Sequence, residues 1–203
     1  MRIAEGLDFE RLLAQGRAGN SSAIGCLLES YRAYLRLLLR LQSSRRASPA
    51  DASDVVQEVF LRAGQHFVGF RGSTERELTA WLRHILATTL VDEERRRRIG
   101  QHGQVGLAEI AATLDQSSHA LDCNLLNPGS SPSQQASRRE QAVLLADALA
   151  RLPEHYREVI VLRHLQNLSF PEIARRTERS LDSVKNIWVR ALTELRGHSQ
   201  ELL

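Results

Sequence analysis

The chain has little of what normally arms an enzyme or staples a small secreted domain. Its two cysteines, Cys26 and Cys123, are far apart and belong to no CxxC or CxxxC pair, so neither a disulfide framework nor a zinc site is expected. Seven histidines are scattered without HExxH or HxxxH spacing, and no metal site is expected from them. No nucleophile stands with a base, no paired carboxylates occur, and no glycine-rich phosphate loop is present, so catalysis and a cofactor are not expected either. No apolar run approaches the roughly 20 residues that cross a bilayer, and the opening MRIAEGLDFERLL carries no long apolar segment. A soluble, cytoplasmic chain without membrane insertion is expected. Lysine is nearly missing too, with Lys185 the only one.

Aromatic residues make up only 5% of a chain that is 42% hydrophobic, so its cores must be filled by Leu, Val, Ile and Ala, which suits small helical bodies. The length of 203 residues fits one large or two small domains, with two compact helical units the default. A net charge of +3 does not announce nucleic acid by itself, but its distribution is uneven. Residues 1–98 hold 16 basic and 12 acidic side chains, residues 99–137 none and 3, and residues 138–203 hold 11 and 9. Two mildly basic blocks thus flank an acid-only connector.

In the second block, SFPEIARRTERSLDSVKNIWVRALTELR from Ser169 to Arg196 reads as two short helices around a tight turn. Ser169, Pro171 and Glu172 form a capping box with proline in the first turn. Ser180 is a second N-cap, and Val184, Ile187, Ala191 and Leu195 recur at helical spacing behind it. The opposite face offers Asp182, Ser183, Lys185, Asn186 and Arg190, the donors and acceptors that reach base edges and phosphates from a helix in a major groove, with Ser180 and Arg179 at its entry. Any two packed helices with a polar outer face look similar, and at this point a plain helical hairpin is an equal reading.

Taken in order, residues 8–17 suggest a short helix stopped at Gly19-Asn20. Ile24, Leu27, Leu28, Tyr31, Leu35, Leu38 and Leu41 suggest one long helix from about Ser21 to Gln42, with Cys26 as a small buried hydrophobe. Ser48 caps a third helix with Pro49 in its first turn, running to about Val68. On it Val55, Val56, Val59, Phe60 and Ala63 pack, while Asp54, Gln57, Glu58 and Leu61 fall on the opposite side. Gly69 to Ser73 is a loop with Phe70 and Arg71 at its tip, and Thr74 with Glu77 caps a fourth helix through Leu78, Trp81, Leu82, Ile85 and Leu86 toward Arg98, Trp81 reading as core. Its four closing arginines, Arg95 to Arg98, complement the helix dipole or grip phosphates. Residues 99–137 read as a linker in which Leu107, Ile110, Ala111 and Leu114 make an amphipathic turn or two. Ser137 and Glu140 cap the next helix, and a sixth runs from Tyr156 to near Asn167.

The string LPEHYREVIVLRHLQNLSFPEIARRTERSLDSVKNIWVRALTEL resembles region four of bacterial RNA polymerase sigma factors, in particular the extracytoplasmic-function (ECF) group, and DVVQEVFLRA with FRGSTERELTAWLRHIL resembles region two. The resemblance implies an all-α chain of two small helical domains. Residues 1–98 would be a region-two bundle, 99–137 a flexible linker, and 138–203 a region-four helix-turn-helix domain. It implies a sigma factor that binds core polymerase at the beta-prime clamp helices and the beta flap and directs initiation at promoter DNA. Asp54, Gln57, Glu58 and Leu61 would face the clamp helices; Phe70, Arg71, Ser73, Arg83, His84 and Thr88 would serve the minus-ten element, which is melted with a base held out of the stack. Arg179, Ser180, Asp182, Ser183, Lys185, Asn186 and Arg190 would read the minus-thirty-five element.

The chain departs from the family at Thr88, where an Asn is usual, at Ile187, where an arginine is usual, and at the turn Thr177-Glu178-Arg179. The family's turn carries a glycine, so Glu178 implies a reshaped or strained backbone. A stand-alone helix-turn-helix regulator is the alternative reading, and control by an anti-sigma factor or a regulatory kinase is left open by the sequence.

Overall fold

The computed structural model describes residues 6–42, 49–97, 106–124 and 135–200. Every regular element among them is helical, and the chain divides into two compact units, residues 1–118 and 119–203. The expected cap at Ser48 and the last arginine of the basic run, Arg98, lie outside the described residues.

The first unit begins with α1 (Gly6–Arg17) and α2 (Ser21–Glu29). Between them Gly19 takes a φ of +87°, and Asn20 caps α2 by accepting from the Ala23 amide at 3.2 Å. The single long helix expected from Ser21 to Gln42 is in fact two, α2 and α3 (Arg32–Gln42). The chain tightens at Ser30, whose hydroxyl donates to the Leu27 carbonyl at 2.6 Å, while the Tyr31 amide bonds to Leu28 at 3.0 Å. The apolar stripe runs through the break because Tyr31 stays buried across it. Cys26, expected inside, is exposed: α2 buries Ala23, Ile24, Leu27 and Leu28, and position 26 falls on the outer side of that stripe.

Helix α4 (Pro49–His66) runs into a single 3₁₀ turn, Phe67–Gly69, and α5 (Glu75–Arg97) packs against it. The expected capping box is present: the Glu77 amide donates to Thr74 Oγ1 at 3.2 Å, and Glu77 Oε2 accepts from the Thr74 amide at 3.0 Å and the Ser73 amide at 2.8 Å. Those donors hold the Glu77 carboxyl below its usual pKa, the Ser73 amide most of all. Val55, Val56, Val59, Ala63, Phe67, Leu78, Leu82 and Leu86 fill this core.

The segment read as linker contains α6 (Leu107–Asn124), a helix of 18 residues. Its Leu114 is fully buried, and Ser118 bonds to the buried Tyr34 hydroxyl of α3 at 3.0 Å. The start of α6 thus belongs to the first unit.

The second unit holds α7 (Gln135–Arg151), α8 (Glu154–Ile160), a π-helical turn at Val161–Leu165, α9 (Phe170–Arg176) and α10 (Leu181–Gln200). Helix α7 starts at Gln135, so Ser137 lies inside its first turn and is not the cap. Arg157 ties the break at Leu152-Pro153 together, donating to the carbonyls of Leu149, Ala150 and Leu152 at 2.8 Å each. Asp147 on α7 is pushed up to about 6 by burial, with Arg151 pulling the other way. A carboxyl whose folded pKa lies above its unfolded 3.8 favours folding when protonated, and that advantage is lost as pH rises from about 4 through about 6. Asp147→Asn is therefore expected to stabilise the protein at pH 7.5 by about 1–2 kcal/mol after discounting solvent screening, and to be neutral near pH 4. Thermal melts at the two pH values measure this.

Candidate nucleic-acid interface

The core under the reader is Val159, Leu162, Ile173 and Val184, flanked by Leu168, Phe170, Ala174, Ile187 and Trp188. Ile187, which stands where the family has an arginine, is spent on this packing. Around it the π-helical turn inserts one residue into the end of α8, with Gln166 N–H reaching back to the Val161 carbonyl at 3.0 Å. Trp188 Nε1–H donates to His164 Nε2 at 3.0 Å, their rings lie nearly parallel, and Phe170 meets Trp188 edge-on at 5.4 Å. Arg163 lies over the Phe170 ring at 4.8 Å and donates to the Leu168 carbonyl. Burial and then the neighbouring Arg163 lower the His164 pKa, which keeps Nε2 free to accept.

Helix α9 begins as the sequence predicts: the Ser169 amide and hydroxyl both donate to Glu172 Oε2, at 2.7 and 2.5 Å. Chiefly through that hydroxyl, the Glu172 carboxyl is held below its ordinary pKa. Ser180 then accepts from the Ser183 amide at 3.2 Å and so caps α10. Between the caps, Glu178 takes a φ of +54°, the left-handed conformation that glycine adopts freely. The turn thus holds a residue with a side chain in a conformation that resists one. Glu178→Gly is expected to raise stability by about 1 kcal/mol, read as a higher melting temperature.

On α10, Asp182, Lys185, Asn186 and Arg190 are exposed and Ser183 is half-buried, with Arg179 exposed at the entry. Val184, Ala191 and Leu195 point inward. Sequence reasoning missed Val189, which is 54% exposed beside Lys185, Asn186 and Arg190. Its spacing of three and four from Asn186 and Lys185 was the available signal.

In the first unit, Asp54, Gln57 and Leu61 share an exposed stripe of α4, with Leu61 55% exposed. Val68, in the 3₁₀ turn that follows α4, is 62% exposed and was also missed. Glu58 differs from its neighbours. It is half-buried and accepts from Arg62 Nε at 2.7 Å, while Arg62 also reaches Asp92 on α5 at 2.7 Å. Asp92 and then Glu58 raise the Arg62 pKa, and Arg62 in turn lowers that of Asp92. Glu58 thus ties α4 to α5 through Arg62.

Around the loop, Arg71, Ser73 and His84 are exposed as expected, and Thr88 is half-buried with its hydroxyl bonded to the Ile85 carbonyl at 2.8 Å. Phe70 is a correction: it is only 7% exposed, its ring 4.9 Å from Trp81 and 6.1 Å from Phe67. Turned inward, it braces the loop from inside. Gly72 permits this, because a Cβ there would collide with the Phe70 ring. Arg17 of α1 donates to the Gly72 carbonyl from the other side. Arg83 is covered as well: its side chain is only 11% exposed and is held by Asp115 at 2.9 Å, Tyr34 at 3.2 Å and Ser118 at 3.3 Å.

Two family models match the chain, "Sigma-70 region 2" over residues 30–99 and "Sigma-70, region 4" over residues 142–195. The ECF RNA polymerase sigma factor SigL of Mycobacterium tuberculosis is 30% identical over 190 residues, covering 91% of this chain and 96% of that protein. The chain belongs to the ECF group of the sigma-70 family. The sigma-E factor of Haemophilus influenzae is 27% identical over 201 residues, 99% of this sigma factor and all of its relative. CnrH of Cupriavidus metallidurans is 30% identical over 191 residues, 93% of each chain. As a sigma factor the protein serves promoter-directed initiation of transcription by RNA polymerase. Among the described residues no helix is long and apolar enough to cross a membrane, and no group of three His, Cys, Asp or Glu could hold a metal.

Proposed function

We propose that α10 lies in the major groove of the minus-thirty-five element, with Lys185, Asn186 and Arg190 meeting base edges and phosphates and Val189 offering an apolar contact to a thymine methyl. The observation that carries this is the exposed stripe itself, which follows directly on a capped helix N-terminus and presents donors at successive turns. In the first unit, the α4 stripe of Asp54, Gln57 and Leu61, together with Val68 in the turn that follows, docks on core polymerase: two apolar side chains with polar neighbours suit an interface centre with a hydrated rim. Arg71, Ser73 and His84 face the minus-ten element, and Phe70, Gly72 and Arg17 set the loop that carries them.

The chain does no chemistry of its own. It works in the cytoplasm, where it selects the sites at which the polymerase adds nucleotides. Run-off transcription with purified core enzyme on a promoter library tests the whole reading. Start-site selection that depends on this chain supports it; DNA footprints without polymerase, and no initiation with it, point to a stand-alone regulator.

A further inference from the structure

Helix α6 is seated on the first unit by few contacts. Among residues 107–118 of this helix Leu114 is the one fully buried large side chain, Ile110 and Ala111 are half-buried, and Leu107 is exposed. Polar contacts join them: Asp115 to Arg83, Ser118 to Arg83 and Tyr34, and Gln42 Nε2 to Ser117 at 3.5 Å. A seat made of one fully buried leucine, two half-buried apolar side chains and an ion pair whose carboxylate is largely exposed is weak enough to open reversibly. What it covers is unusual. Arg83 is a largely buried cation on α5, with the Tyr34 hydroxyl beside it, and the exposed Arg76 lies two turns earlier on the same helix face. A planar guanidinium next to a hydroxyl donor is a receptor for an oxyanion. The Asp115 carboxylate supplies that oxyanion, at 2.9 Å from Nε.

We propose that Arg83 and Tyr34 form a binding site for a backbone phosphate of promoter DNA, and that α6 closes it in the free protein by placing Asp115 where the phosphate would sit. The inference rests on the proposed role of the first unit at the minus-ten element. Lifting α6 removes the carboxylate and Ser118, leaves Tyr34 in place and opens Arg83 to solvent. The apparent affinity for DNA is lowered by the fraction of molecules whose seat is closed.

The test uses the full chain, with Asp115→Asn alone and combined with Leu114→Ala, binding a labelled single-stranded DNA of mixed sequence across a salt series. Both variants are expected to bind about five- to tenfold tighter, with a salt dependence steeper by about one counterion. Faster amide exchange in α6 reports the release directly. Adding Arg83→Met is expected to abolish the gain. Binding that does not tighten although α6 is released, or tightening that survives Arg83→Met, overturns the proposal. If the wild-type chain meanwhile directs initiation in run-off assays, the sigma-factor reading stands and only this site falls.

Discussion

Replacing Lys185 and Arg190 together by alanine is expected to weaken promoter binding about 100-fold or more and to leave core polymerase binding within about twofold. Both side chains are exposed on α10, and neither supports the core made by Val159, Leu162, Ile173 and Val184, so the loss cannot come from unfolding. A cation that meets a base edge or phosphate is worth about 1–3 kcal/mol, and two such losses on one helix face approach additivity. The salt dependence of binding should flatten by about two counterions. Electrophoretic mobility shifts of the reconstituted holoenzyme, together with a core pull-down, read the two properties separately. Unchanged promoter affinity with lost core binding would remove α10 from the DNA.

The converse is expected of α4. Leu61→Asp, with Asp54→Ala and Gln57→Ala, should weaken core binding by about 10- to 100-fold while the isolated chain keeps its melting temperature. Leu61 is 55% exposed and lies outside the buried core of the bundle, so a charge there costs little in the free protein. In a desolvated interface centre the same charge costs 2 kcal/mol or more. Glu58→Ala separates two effects that sequence reading merges. Its carboxylate is engaged by Arg62, so its loss should loosen the link between α4 and α5 as well as alter the docking face.

What the sequence disclosed follows from the range of the interactions involved. The capping boxes at Thr74-Glu77 and Ser169-Glu172, the cap at Ser180 and the strained Glu178 are events within four residues, and each appears where spacing puts it. The division of residues 21–42 into two helices was hidden because Tyr31 continues the apolar stripe through the break. The cover over Arg83 is invisible in the sequence because its partner Asp115 lies 32 residues away, beyond the reach of any local pattern. Phe70 was placed at a loop tip for the same reason: only the fold brings Phe67 and Trp81 around its ring. Val68 and Val189 were passed over because an apolar residue on a helical pattern reads as core until exposure shows otherwise.

The exposed ammonium of Lys185 stands on the outer stripe of α10, and no other side chain in the protein carries a primary amine. Amine-directed chemistry is thereby confined to the reading helix and the chain's own α-amino group. In the proposed complex, a photo-crosslinker attached there by an ordinary succinimidyl ester would sit at the groove without any engineered handle. Crosslinks from that amine to promoter DNA in the reconstituted holoenzyme would map the contact nucleotide by nucleotide.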